Sequence, residues 1–310
     1  MKKLPLENQS YAYLQRTFSD WLEALGYSKP TVYHAPIYIR EFLFYLESKN
    51  VQNIKRVDSN HLAHYISHLE NRTNQTQKSG TLSNNSLRKR TQALKLFLKY
   101  IRQVGDIMLP PLEVDTRKAD TAPIEVLSKS EVKQLFEATY INSGKIQHHH
   151  ILLRDRALLT IVYCCGLRRN EAIHLDLKDI DFENSVVKVT KGKAYKQRFV
   201  PLHRDNLIHL DQYVRNSRSR LLKHQEHPAF FANFQGGRLK GSGMLERIKV
   251  TQQKCDSQEL RNKKIGLHTF RHSIATHLLE SGMELEMIAR FLGHSSLDST
   301  QVYTHLLEQK

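Results

Sequence analysis

Leu267-His268-Thr269-Phe270-Arg271-His272 places two imidazoles and a guanidinium within one and a half helical turns. Farther along stands Leu292-Gly293-His294, and Tyr303 follows. At helical spacing His268 and Arg271 share one face of a helix start, while Phe270, Ile274 and Leu278 take the buried side. A phenol has an unperturbed pKa of about 10, so as a nucleophile it needs dense positive charge on its target and a positioned proton acceptor. These histidines and arginines supply both, and the set suits attack on a phosphodiester. His272 turns toward the apolar side and reads as a structural, hydrogen-bonded imidazole. His277 reads as an ordinary surface or packing residue.

Upstream, Gly166-Leu-Arg168-Arg-Asn-Glu171 follows an apolar helix expected over Leu152 to Cys165. The glycine lets the backbone turn sharply, and Arg168 then projects from a helix start, where its planar fork can donate two parallel hydrogen bonds to a phosphate. Glu171, three residues on, can hold that side chain, although an isolated Arg-x-x-Glu is more often a plain surface ion pair. Val186 to Thr190 and Arg198 to Leu202 are β-rich and flank the basic turn Lys191-Gly-Lys-Ala-Tyr-Lys196, the pattern of a hairpin. Gly293 lets the chain reverse and expose His294. Tyr303, one of 13 tyrosines, stands on a short stretch that Ser299 can cap, with Val302 and Leu306 as anchors.

The formal net charge of +16 and a pI near 9.7 make a polyanion the first partner to consider. Residues 1–107 carry 16 Lys and Arg against 8 Asp and Glu, and the remainder 31 against 23, so both parts are drawn to phosphate. Apolar residues recur at helical spacing over Tyr11 to Leu25, Thr31 to Glu47, Ser59 to Glu70 and Asn85 to Val104, with a polar loop from Asn71 to Asn84, which predicts a small all-helical domain. Its last helix carries Arg88, Lys89, Arg90, Lys95 and Lys99, a basic face that can lie along a DNA backbone or be an ordinary solvated surface. Pro110-Pro111 and Pro123 mark an extended connection, and Ser128-x-x-Glu131 has the form of a capping box opening the next domain. Cys164, Cys165 and Cys255 make no disulfide framework and no zinc pair, and His148-His149-His150 reads as an exposed loop, so no metal is expected. The longest apolar run, Ala157 to Leu167, is too short to span a bilayer, and no signal-peptide core follows Lys2-Lys3; a soluble, cytoplasmic chain is expected.

Taken in order, Gly-Leu-Arg168, His268-x-x-Arg271-His272, Leu-Gly-His294 and Tyr303 resemble the tyrosine recombinases, or phage-type integrases, and the layout is similar to Xer-type members. The agreement is specific in the second half and one of pattern alone in the first. The resemblance implies a mainly α fold with a small antiparallel β-hairpin or sheet in the C-terminal domain. It implies a two-domain DNA clamp: a helical, SAM-like core-binding domain over 1–108, a linker over 109–124, and a mixed α/β catalytic domain over 125–310. It further implies a site-specific recombinase that needs neither ATP nor metal, acting on double-stranded DNA as a homotetramer on paired sites, alone or with a related recombinase. In that scheme Tyr303 forms a 3′-phosphotyrosyl bond, Arg168 and Arg271 hold the nonbridging oxygens, His268 accepts the phenol proton, His294 donates to phosphate, and Lys193 protonates the leaving 5′-oxygen. Glu171 and His272 support them. Ala194-Tyr195 stands where the family has Gly-Asn, which leaves Lys191 and Lys196 as rivals of Lys193. Seven residues follow Tyr303, short of the helix that Xer-like relatives dock into a neighbour. A type IB topoisomerase-like nicking-closing enzyme and a non-catalytic DNA-binding protein of the same fold are the competing readings.

Overall fold

A computed structural model describes residues 4–73, 80–105, 107–112, 124–141, 146–190, 197–294 and 300–301. The chain divides into two units, Met1–Ala122 and Pro123–Lys310.

In the first unit Asn8 opens α1 (Gln9–Ala24), its side-chain oxygen accepting from the Ser10 and Tyr11 amides at 2.9 and 3.3 Å. These are donors that a helix start otherwise leaves without partners. Three more helices follow: α2 (Lys29–Ser48), α3 (Ser59–Asn71) and α4 (Asn84–Gly105). Their apolar stripes meet around Phe18, Leu22, Phe42, Leu46 and Phe97, all fully buried. Each such side chain contributes roughly 1.5–3 kcal/mol of burial. Phe18 meets Phe97 edge-on at 5.3 Å, and the Tyr100 hydroxyl reaches the Thr17 hydroxyl at 2.6 Å. Arg90 departs from the basic face expected of α4. It is buried, donates through Nε to Glu41 at 2.9 Å and lies 4.8 Å over the Tyr38 ring, while Arg72 pairs with the other Glu41 oxygen. The reason is helical phase: Arg90 falls in the same stripe as Leu94, Phe97 and Ile101, and Glu41 on α2 supplies its counter-charge. Arg88, Lys89, Lys95 and Lys99 remain exposed.

The second unit opens with the capping box read from the sequence. The Ser128 amide donates to Glu131 Oε2 at 2.7 Å and the Glu131 amide to Ser128 Oγ at 3.2 Å, starting α5 (Lys129–Ala138). Helix α6 (Ile146–Leu159) begins earlier than expected and takes in His148-His149-His150, so the run is helical and not a loop. His150 is held by the Arg220 guanidinium at 3.0 Å and by Ser217, whose hydroxyl donates to its carbonyl at 2.7 Å. The apolar stretch then continues as a π-helical turn, Thr160–Cys164, which periodicity could not distinguish from an α-helix, before α7 (Arg169–His174). The strands β1 (Ile180–Asp181), β2 (Val186–Val189) and β3 (Arg198–Pro201) form an antiparallel sheet in the order β1-β2-β3, with Val187 opposite Val200 and Val189 opposite Arg198. Val187, Val189 and Val200 alternate inward and are buried, the period-2 pattern of a half-covered sheet. Lys191, Lys193 and Lys196 lie outside the described residues.

Helices α8 (Arg204–Tyr213), α9 (Ser219–Leu221), α10 (Gly241–Gln252), α11 (Gln258–Asn262), α12 (Leu267–Glu280) and α13 (Leu285–Leu292) complete the described part of the unit. The architecture is mainly helical with a small antiparallel sheet, as the sequence pattern predicts. The core gathers Leu135, Leu158, Ile161, Tyr213, Phe230, Met244 and Phe270, each fully buried. The Leu127 amide donates to Ser273 Oγ at 2.8 Å, and Lys263 pairs with Glu131 at 2.7 Å, so the chain entering this unit is pinned to α12 and its approach. Among the described residues no helix is long and apolar enough to cross a membrane.

Removing the shared carboxylate of the first unit leaves two guanidiniums of low exposure without their counter-charge. Glu41→Ala should therefore cost about 3–5 kcal/mol. Urea unfolding followed by the fluorescence of Trp21, the single tryptophan, measures it, and a loss below about 1 kcal/mol would contradict the assignment.

Candidate active site

The turn Gly166-Leu167 ahead of α7 is the first piece of the site. Gly166 has φ +57, and a Cβ there would lie 2.8 Å from Leu292 Cδ2, so a side chain is excluded both by conformation and by the end of α13. Arg168 follows as the N-cap of α7. Its amide donates to Glu171 Oε2 at 2.9 Å and its Nη1 to Glu171 Oε1 at 3.0 Å, so one carboxylate caps the helix and orients the guanidinium. Nη1 also donates to the Leu292 carbonyl at 3.4 Å and Nη2 to the Gly293 carbonyl at 3.1 Å.

Arg271 comes from the first turns of α12 and is 3% exposed. It donates to the Gly166 carbonyl and to the Leu292 carbonyl, both at 2.6 Å. The Leu292 oxygen thus accepts from both arginines, one presented by the start of α7 and the other by α12. His268, one turn earlier on α12, is exposed, and its ring lies 6.4 Å from that of half-buried His272. His277 is buried, with its Nδ1 2.8 Å from the Tyr163 hydroxyl, and so ties α12 to the π-helical turn as a packing residue. Gly293, at φ +65, caps α13 in the left-handed conformation, and His294 emerges after it with Nδ1 2.7 Å from the buried Thr300 hydroxyl.

A third arginine joins them that the sequence pattern did not mark as functional. Arg198, at the start of β3, grips Glu171 with both terminal nitrogens, at 2.9 and 2.8 Å, and donates from Nε to the Phe291 carbonyl at 3.0 Å. A Cβ on Gly293 would lie 2.9 Å from Arg198 Cδ, so the cap of α13 rests directly on this side chain. The signal was present in the strand alternation: Arg198, Val200 and Leu202 share the inward face, where a charged residue needs a partner. The Thr300 hydroxyl, as partner of His294, is a second site group that the sequence analysis did not single out. Ser299 and Tyr303 lie outside the described residues. Arg88, Lys89, Lys95 and Lys99 belong to the first unit.

Charge sets the protonation states. Burial pushes the Glu171 carboxyl up, but the Arg198 fork and charge, with the Arg168 amide and guanidinium, outweigh it and hold it at about 2. Partial desolvation of the ring, then Arg271 and Arg168, lowers His268 below the ordinary imidazole value, although one side of it stays open to solvent. Burial and the arginines Arg271, Arg168 and Arg198 take His294 down to about 4, and burial with His268 and Arg271 does the same for His272, to about 4. At neutral pH the cluster therefore holds three cations, one carboxylate and three neutral imidazoles, one of them exposed. It can bind an anion and accept or donate a proton beside it.

Residues 125–310 match the phage integrase family. The chain is 31% identical over 271 residues to tyrosine recombinase XerD of Staphylococcus epidermidis, covering 86% of this chain and 85% of that protein. It is 32% identical over 259 residues to tyrosine recombinase XerC of Pelotomaculum thermopropionicum, covering 82% and 78%. In fold it resembles the XerH site-specific recombinase bound to a palindromic difH substrate in a post-cleavage complex, with a TM-score of 0.71 at 22% identity, covering 100% of this chain and 89% of that one.

The histidine shifts fix a stability window. Folded, His272 and His294 stay neutral down to about pH 4, whereas the unfolded chain protonates them near 6.5, so their contribution is complete above 6.5 and is lost as pH falls toward 4. His272→Gln and His294→Gln should each flatten the fall of unfolding free energy across that window relative to the wild type, as read by urea melts at stepped pH. Parallel curves for both variants would show that these imidazoles are not depressed.

Proposed function

The chain belongs to the phage integrase family and is a tyrosine-type site-specific recombinase, and from that premise we propose that Tyr303 is its nucleophile and that Arg168, Arg271, His268, His294 and Lys193 complete its machinery. The Tyr303 oxygen attacks the scissile phosphorus of double-stranded DNA, the bond from phosphorus to the 5′-oxygen breaks, and a 3′-phosphotyrosyl ester is left. His268 takes the phenol proton, which its neutral state permits. Arg168 and Arg271 hold the nonbridging oxygens and offset the charge that builds in the transition state. His294 donates a hydrogen bond to one of those oxygens, and Lys193 delivers the proton that the departing 5′-oxygen needs, with Lys191 and Lys196 as its rivals. Attack by the 5′-hydroxyl of another strand reverses the sequence. One phosphodiester replaces another, so the exchange requires no nucleotide triphosphate.

The observation that carries this reading is the convergence of Arg168 and Arg271 on the Leu292 carbonyl, with His294 beginning two residues later. Two cations from separate helices, fixed side by side, match the two nonbridging oxygens of one phosphate. Glu171 and His272 act as supports, Glu171 by direct bonds to Arg168 and His272 as a half-buried imidazole with its ring 6.4 Å from that of His268. The exposed Arg88, Lys89, Lys95 and Lys99 on α4 offer a track for the DNA backbone, in a unit we assign as the core-binding domain. Strand exchange needs two paired sites, hence a homotetramer or a mixed assembly with a related recombinase. The likeness to the tyrosine recombinases XerC and XerD, and to XerH, a site-specific recombinase seen bound to its difH substrate, supports the recombination chemistry.

A nicked suicide oligonucleotide, which loses the short strand after cleavage, traps the covalent ester. The wild type should form the adduct, and Tyr303→Phe should abolish it while leaving the noncovalent gel shift intact; an adduct in the Tyr303→Phe variant would overturn the assignment. Arg271→Lys, which keeps the charge but not the fork, should slow adduct formation about 10²–10³-fold.

The depressed His268 sets the pH profile. Because its pKa in the free enzyme is below 6.5, the base stays available under that value, and the acid limb of adduct formation at subsaturating DNA should fall below pH 6.5. A limb centred at or above 6.5 would assign the proton acceptor elsewhere.

A further inference from the structure

We propose that Arg198 is a positioning residue that locks the strand leaving the basic hairpin to the phosphate-gripping arginines, and so places the group that protonates the leaving 5′-oxygen. The inference rests on the function proposed above and assigns a role to a residue outside that machinery.

Arg198 stands two residues past the segment 191–196, and its backbone is paired with Val189 on the other strand. Wherever the lysines of that segment reach, they start from the ends of these two strands. The side chain of Arg198 fixes those ends to the rest of the site through three acceptors at once: both oxygens of Glu171, which also holds Arg168, and the carbonyl of Phe291 in the last turn of α13. Only a guanidinium has the geometry to make a two-pronged bond to a carboxylate while its third nitrogen serves another acceptor. Gly293 packs against the same side chain, so the turn that launches His294 is referenced to it as well. With its side chain 11% exposed, Arg198 is shielded from solvent and has no direct line to an incoming phosphate that Arg168, 32% exposed, does not already command. Its effect passes through the strand, whose end it ties to Glu171 and to Phe291.

A positioning role of this kind predicts a defect in one particular step. With an ordinary phosphodiester the departing 5′-oxygen needs a proton, so a displaced lysine slows cleavage. With sulfur in place of that bridging 5′-oxygen, the phosphorus–sulfur bond breaks to give a thiolate, which is stable near neutral pH because a thiol ionises at about 8.5. The lysine is then dispensable, while the nucleophile, the proton acceptor and the two phosphate-gripping arginines are still required.

The experiment compares Arg198→Met and Arg198→Lys with the wild type in single-turnover adduct formation on paired suicide substrates, one with the natural 5′-oxygen and one with 5′-sulfur. Urea melts check that each variant is folded; should Arg198→Met be unfolded, Arg198→Lys, which keeps the cation and loses the fork, carries the comparison. On the oxygen substrate the variants should be slower by about 10- to 100-fold, the loss that a misplacement of about 1 Å brings. On the sulfur substrate they should run close to the wild-type rate. Equal slowing on both substrates would overturn the proposal, because Arg198 would then be serving only the arginine pair. So would full activity of Arg198→Lys on the oxygen substrate, which would show that charge suffices without the fork. Loss of the adduct in the Tyr303→Phe control tests the underlying function separately, and a wild type that forms no adduct on either substrate overturns both.

Discussion

Three arginines crowd into one half-buried site because the last turn of α13 accepts them. A helix C-terminus leaves its final carbonyls without amide partners and carries the negative end of the helix dipole. Here Phe291 accepts from Arg198, Leu292 from both Arg168 and Arg271, and Gly293 from Arg168. The carbonyls that α13 cannot satisfy by itself therefore become the frame on which the cations are set. Gly293 makes this possible by turning left-handed at the cap, and Gly166 by leaving room for Leu292.

Carbonyl dipoles alone would leave three full charges repelling one another, and Glu171 supplies the missing anion. Its two oxygens are shared between Arg198 and Arg168, with Arg198 taking the bidentate geometry. A buried carboxylate that lost one of these partners would carry a larger desolvation cost, offset in part by the bonds that the other partner keeps. The same logic appears in the first unit, where Glu41 serves Arg72 and Arg90 across α2, α3 and α4. In both units a single carboxylate fastens helices that apolar packing has already brought together.

The helices were legible because their apolar residues repeat at helical spacing, and the hairpin because Val187, Val189 and Val200 alternate. The capping box at Ser128 and Glu131 was visible as four letters and has the bonds those letters imply. What escaped was longer-ranged. The π-helical turn Thr160–Cys164 carries the same apolar composition as an α-helix, so only its backbone bonding reveals it, the Cys165 amide donating to the Thr160 carbonyl five residues back at 3.2 Å. Arg90 looked like one member of a basic run, and its burial depends on Glu41 from another helix. Arg198 looked like strand, and its importance depends on Glu171, 27 residues earlier, and on Phe291, 93 residues later. The pairwise motif Arg168-x-x-Glu171 was readable from spacing, whereas the second partner of that carboxylate was not, since nothing local encodes a meeting across the fold. Arg168, His268, Arg271 and His294 were picked out by residue type and order, and their convergence is a property of the folded unit.

The electrostatics of the cluster also order its events. Three guanidiniums against one carboxylate leave a net positive site, and that surplus, with burial, is what holds His268 and His294 in their neutral forms. In the mechanism proposed above, a phosphodiester entering between Arg168 and Arg271 brings the opposite charge to the same spot. It offsets the repulsion that Arg271 and Arg168 exert on an imidazolium, so the proton affinity of His268 rises once the phosphate is seated. On that proposal, His268 is a weak base before the phosphate arrives and a stronger one beside it, when the phenol must give up its proton. Phosphate binding and base strength are then coupled through the same two arginines, and Coulomb's law in a partly buried site favours the order of steps, grip first and proton transfer second.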